Sequence, residues 1–107
     1  SDLEGAEADY REVATRTPRR GEAHYGVGLC RMRAQDAPGA EEAFGRAIEC
    51  GYIGGHYNRG VVRMDQGKLQ EALEDFLATA EKDASPARRE NARKAIPGLK
   101  RRLGLSD

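Results

Sequence analysis

The chain has 107 residues, enough for one modest core, and its 18 Lys and Arg are balanced by 18 Asp and Glu, so bulk charge points to no polyanionic partner. Aromatic residues are 6% and Trp is absent, so a core must rest on Ala, Leu, Val, Met and a few rings. No run approaches the roughly 18 apolar residues of a membrane span, and no signal peptide is visible. Cys30 and Cys50 are too few for a disulfide scaffold and lack metal-ligand spacing, which predicts reduced, partly buried thiols.

Good helix formers (Ala, Glu, Arg, Leu) dominate and nothing alternates as a strand does, which predicts an all-α chain. In chain order, Ala6, Tyr10 and Val13 mark a first helix over residues 2–16, closed by Pro18. Residues 22–34 carry two apolar stripes, Ala23, Val27, Cys30 and Ala34 on one side and Tyr25, Leu29 and Met32 on another. A helix with two such stripes packs on two sides. Gly28, and later Gly60, stand mid-helix, where Gly costs about 1 kcal/mol relative to Ala; close approach of a neighbouring helix is the expected compensation. Asp36-Ala37-Pro38-Gly39 is a turn, and Ala40, Ala43, Phe44, Ala47 and Ile48 then form a single apolar face.

The link over residues 49–55 leads to a second pair of helices. Its first helix starts at His56, Asp65-Gln66-Gly67-Lys68 is its turn, and Leu69, Ala72, Leu73, Phe76, Leu77 and Ala80 are its second apolar face. Ser85-Pro86 is a helix start, an N-cap hydroxyl followed by Pro in the first turn. Ala92, Ile96, Leu99 and Leu103 give that last helix one stripe, and Pro97-Gly98 predicts a break in it.

A shift of 32 residues lays His24-Tyr25 on His56-Tyr57, Gly28 on Gly60, Arg31-Met32 on Arg63-Met64, Ala40 on Ala72, Glu42 on Glu74 and Phe44 on Phe76. A shift of 34 lays Ala6 on Ala40, Tyr10 on Phe44 and Val13 on Ala47. Such self-similarity is the mark of a repeat protein. The text His24-x2-Val27-Gly28-x2-Arg31 with Ala40-x3-Phe44, and its copy His56-x2-Arg59-Gly60-x2-Arg63 with Ala72-x3-Phe76, resembles the tetratricopeptide repeat (TPR). His24 and His56 stand in place of the family's Trp, Arg31 and Arg63 in place of its Tyr, and Arg59 in place of its Leu. The link lacks the closing Pro and is similar instead to Sel1-type repeats, in Ala47-Ile48-Glu49-Cys50-Gly51 and Tyr57-Asn58-Arg59-Gly60.

The resemblance implies an all-α, right-handed solenoid of helical hairpins forming one domain over residues 1–107. Residues 2–16 would be the second helix of a partial repeat, 21–52 and 53–84 full repeats, and 85–104 a capping helix broken near Pro97. In TPR-like stacks the first helices line a concave groove that holds partner peptides. Here that groove would present Tyr25, Leu29, Met32, Arg33, Tyr57, Asn58, Val61 and Met64. Tyr and Met suit an adaptable contact surface. The Lys/Asn set with which some TPR domains hold a C-terminal carboxylate is absent.

Other chemistry is weaker. His24 and His56 lie one repeat apart, a spacing on the order of 10 Å that rarely shares a metal. A Cys30–Cys50 bridge would span about 9 Å of helix axis at 1.5 Å per residue, and Cys50 near His24 lacks an orienting third group. Gly54-Gly55 and Gly26-Val27-Gly28 match no phosphate-binding fingerprint. Glu41-Glu42 and Glu74-Asp75 are expected on solvated faces. Residues 85–107 carry seven bases against Glu90 and Asp107, read as the polar outside of a cap, with no aromatic interleaved for stacking on single strands.

The expectation is therefore a protein–protein interaction scaffold, not an enzyme, with no cofactor, no metal and no small-molecule substrate. The alternatives are self-association, or an accessory domain of a larger protein with a basic C-terminal contact surface. A nucleic-acid or membrane-surface role is not favoured. The expected compartment is the cytoplasm, or the periplasm if a leader has been removed.

Overall fold

The computed structural model describes residues 20–105; the helix predicted over residues 2–16 lies outside them. The described residues form five helices: α1 (Gly21–Arg33), α2 (Ala37–Glu49), α3 (Gly55–Asp65), α4 (Leu69–Lys82) and α5 (Pro86–Arg102), with no strand among them. Each helix packs chiefly on its neighbours in the chain, α1 on α2, α2 on α3, α3 on α4 and α4 on α5. The protein is all-α, a TPR-like helical repeat. No described helix is long and apolar enough to cross a membrane.

The core divides along the chain. Ala40, Phe44 and Val62 form one buried cluster, against which Tyr25, Leu29, Met32 and Ala37 pack. Ala72, Leu73, Phe76, Ala92 and Leu99 form the other, joined by Tyr57, Val61, Met64 and residues of α5. Val62 of α3 reaches into the first cluster, so the second hairpin helps to bury the first. The mid-helix glycines do what their spacing predicts. A Cβ on Gly28 would stand 2.5 Å from the Phe44 ring, and one on Gly60 3.3 Å from the Phe76 ring.

Helix ends explain how the link works without its proline. At the end of α2, Gly51 (φ 89°) donates to Ile48 O and Tyr52 to Ala47 O. That paired pattern on a left-handed residue is a Schellman cap. Gly67 (φ 79°) ends α3 in the same way, and Gln35 (φ 61°) ends α1 although it carries a Cβ.

Four expectations need correcting. Helix α5 is not broken at Pro97 but runs through it to Arg102. Proline removes one backbone donor and crowds the carbonyl four residues back. Ala92 and Leu99, buried on either side of it, hold the helix to α4. Ala34 is exposed, because α1 ends one residue earlier and Ala34 is its C-cap. Leu77 is 44% exposed and lies outside the apolar face assigned to it. Asp75, expected on a solvated face, is buried to 1% exposure.

Candidate binding surface

Helices α1 and α3 form a wall. Tyr25, Leu29 and Met32 of α1, and Tyr57, Val61 and Met64 of α3, are all half-buried. Each leans on a core cluster and keeps part of its surface in solvent. The Tyr25 ring lies 5.5 Å from that of Phe44, and the Tyr57 ring 5.8 Å from that of Phe76, the separations of favourable ring pairs. The outer stripe of each first helix therefore belongs to the core and to the surface together.

Of the eight residues predicted to line a groove, the structure joins two directly. The Tyr25 hydroxyl donates to Asn58 Oδ1 at 3.0 Å, bridging the two hairpins. Leu29 and Met32 meet through the first cluster, and Tyr57, Val61 and Met64 through the second. Arg33 stands exposed at the far end of α1.

Two residues outside that set complete this end of the wall. The Tyr52 ring, from the α2–α3 link, sits 4.8 Å from that of Tyr25. A Cβ on Gly54 would lie 3.0 Å from Tyr52 Cε2 and 3.5 Å from Arg88 Nη2, so Gly54 leaves a shallow notch between them. Arg88, in the first turn of α5, donates from Nε to Asp83 Oδ2 at 2.9 Å. The Ser85 backbone N–H donates to the other oxygen of Asp83 at 2.8 Å. Burial would raise the Asp83 carboxyl, but these hydrogen bonds and the Arg88 and Arg89 charges hold it below the usual carboxylate range. Burial is the chief cause that pushes the Tyr25 hydroxyl above its ordinary value, with the Tyr52 hydroxyl adding to it. Arg88 belongs to the run of seven bases, and nothing in its spacing separated it from the solvated ones. Its only sequence signal is Asp83 just ahead of the helix start.

The second polar feature is a buried lock between α3 and α4. Asp75 receives His56 Nδ1 at 2.9 Å, Arg59 Nη2 and Nε at 2.8 and 3.0 Å, and Arg63 Nη1 at 2.9 Å. Burial raises this carboxyl, and the hydrogen bonds from His56 and Arg59 with the charges of Arg59 and Arg63 outweigh it, leaving it below the usual range. Arg63 also reaches α2, donating from Nε to Glu41 Oε2 at 3.0 Å. Gln66 and Lys68 donate to Glu41 Oε1 at 3.0 and 2.9 Å. Burial opposes but does not cancel these bonds, and Glu41 is lowered to about 2. His56 and Asp75 have the spacing of an acid–base pair, yet two arginines saturate the carboxylate and no nucleophile touches it. The arrangement joins α2, α3 and α4. Cys30 and Cys50 are free thiols, and no three His, Cys, Asp or Glu side chains gather as metal ligands among the described residues.

The tetratricopeptide repeat family matches residues 1–51. No curated protein and no solved structure matches the chain. With five helices stacked in chain order and glycines seated against Phe44 and Phe76, the match identifies a TPR-like repeat domain, of a class that generally mediates protein–protein interaction.

Proposed function

We propose that the chain binds a segment of a partner protein laid across α1 and α3. The observation that carries this reading is the wall itself. Six large side chains, Tyr25, Leu29, Met32, Tyr57, Val61 and Met64, are each held in place by the core and each leave surface to solvent. Preordered side chains lose little entropy when a partner arrives, and Tyr and Met adapt to varied apolar contacts. Asn58 beside Tyr57 adds a group able to bond a peptide backbone. The saturated Asp75 carboxylate supports binding in preference to catalysis, since it offers no free base.

Peptides selected from a random phage-displayed library supply the probe. Met32→Lys with Met64→Lys puts two charges on the wall, and their long stems can still cover the core. The expected outcome is at least a tenfold loss of affinity for the selected peptides, the size of effect seen at central anchors, with the circular dichroism spectrum unchanged. Undiminished affinity in the folded double variant would place the partner elsewhere.

A further inference from the structure

The notch at the start of α3 and α5 gathers hydrogen-bond donors that nothing around them uses. Arg88 commits Nε to Asp83, and neither of its terminal nitrogens has an acceptor among the described residues. Asn58 takes the Tyr25 hydroxyl on Oδ1, and its amide nitrogen has no acceptor there either. The same holds for the Tyr52 hydroxyl. Gly54 keeps the space before Tyr52 and Arg88 open. Asp83, the one carboxylate in the cluster, has a side chain only 1% exposed and engaged at both oxygens, so it orients Arg88 without facing the notch. Arg88 itself is 36% exposed.

A guanidinium edge, an amide NH2 and a phenol converging on one opening call for an acceptor, and their planar fork suits a carboxylate. Arg88 and Arg89 against Asp83 leave one positive charge, which a monoanion neutralises and a phosphate dianion would exceed. Resting on the wall reading above, we infer that the notch receives an Asp or Glu side chain of the bound partner segment. Arg88 and Asn58 bond its oxygens and the Tyr52 hydroxyl closes the third side. The apolar wall then supplies the contact area, and the notch fixes register and direction, because only one position of the partner can place an acid there.

The test uses a peptide selected from the same random library, synthesised with an amidated C-terminus and followed by fluorescence anisotropy. The selected peptides are expected to share one acidic position, and changing that residue to its amide should weaken binding about tenfold, as expected for a hydrogen bond to a charged group. Arg88→Gln should cost a similar factor for the acidic peptide and almost nothing for the amide peptide, so that the two changes are not additive. Tyr52→Phe keeps the ring against Tyr25 and removes one donor; it should cost about threefold, a neutral hydrogen bond. If Arg88→Gln lowers the melting temperature by leaving Asp83 unpaired, Tyr52→Phe and the peptide pair decide the matter in folded protein. Selected peptides without a shared acid would overturn the inference, as would additivity of the two changes or binding that demands a free C-terminus. Failure of the wall reading looks different: Met32→Lys with Met64→Lys would leave every peptide bound.

Discussion

In the hairpin of α1 and α2, positions 27 and 43 hold Val and Ala, both buried. One repeat later, the matching positions hold Arg59 and Asp75, bonded to each other by two hydrogen bonds. Arg31 in the first hairpin donates to Asp36 in its own turn, whereas its counterpart Arg63 spans from Asp75 on α4 to Glu41 on α2. The same backbone register thus accepts an apolar seam and an ionic one. The apolar seam asks only for volume. The ionic seam asks that every donor be matched, and no buried side-chain nitrogen or oxygen among the described residues lacks a partner. Desolvation offsets much of what such a network gains. Its consequence is geometric: Arg63 fixes how α2, α3 and α4 sit relative to one another.

The largest effect should come from breaking the ionic seam on one side. Asp75→Ala copies the first hairpin at position 43 but strands Arg59 and Arg63, and should cost about 3–5 kcal/mol, the range for a buried charge left unpaired. Adding Arg59→Val, which copies position 27, should recover a large part of that loss, because apolar replacement of a buried pair is often neutral. Urea denaturation of the two variants checks this. If the double variant is no more stable than Asp75→Ala, the seams are not interchangeable and the 32-residue register does not describe their packing.

How much of this was legible follows from the same residues. The helices, their turns and the seats of Gly28 and Gly60 could be read because hydrophobic spacing and repetition encode them locally. The ionic seam could not, since Glu74-Asp75 looks like any solvated acidic pair and burial depends on what α3 brings opposite. The available hint was that Arg59 and Arg63 replace apolar residues one turn apart, so that each demands a counter-charge on the facing helix. Pro97 misled for the opposite reason: a local rule was outweighed by packing on α4. Arg88 was hidden inside a charge run, and only the fold separates it from Arg93, Lys94, Arg101 and Arg102, which are exposed.

A second contrast lies in the glycines. A Cβ on Gly28 would meet three atoms of the Phe44 ring at 2.5 to 2.9 Å, while one on Gly60 meets Asp75 Cβ and the Phe76 ring at 3.2 to 3.3 Å. Overpacking of the first kind costs about 1–3 kcal/mol. For the second, the roughly 1 kcal/mol that Ala gains over Gly within a helix offsets a few tenths of an ångström of adjustment. Gly28→Ala should therefore lower the midpoint of thermal unfolding by several degrees, and Gly60→Ala should leave it nearly unmoved. Equal shifts would mean that Phe44 yields as readily as Phe76, and that the two hairpins are packed to the same tightness.

The smallest effect is expected at the starts of the second helices. Asp36 caps α2, its carboxylate accepting from Gly39 N at 3.1 Å. Lys68, its counterpart, makes no side-chain cap for α4 and instead donates to Glu41 at 2.9 Å. Position 68 thus exchanges a cap for a tie to the preceding hairpin. Lys68→Ser would form Ser-x-x-Glu with Glu71, a capping box, contributing about 1 kcal/mol. It would also remove an exposed pair with Glu41, which such pairs put at about 0–1 kcal/mol. The net change at neutral pH should be close to zero. With Glu41→Gln already in place there is no ion pair to lose, and the same Lys68→Ser should raise stability by about 1 kcal/mol. The urea midpoints of the four proteins in this cycle measure both quantities. A Lys68→Ser that stabilises equally in both backgrounds would show that Lys68 contributes nothing to Glu41, and that Arg63 and Gln66 hold that carboxylate by themselves.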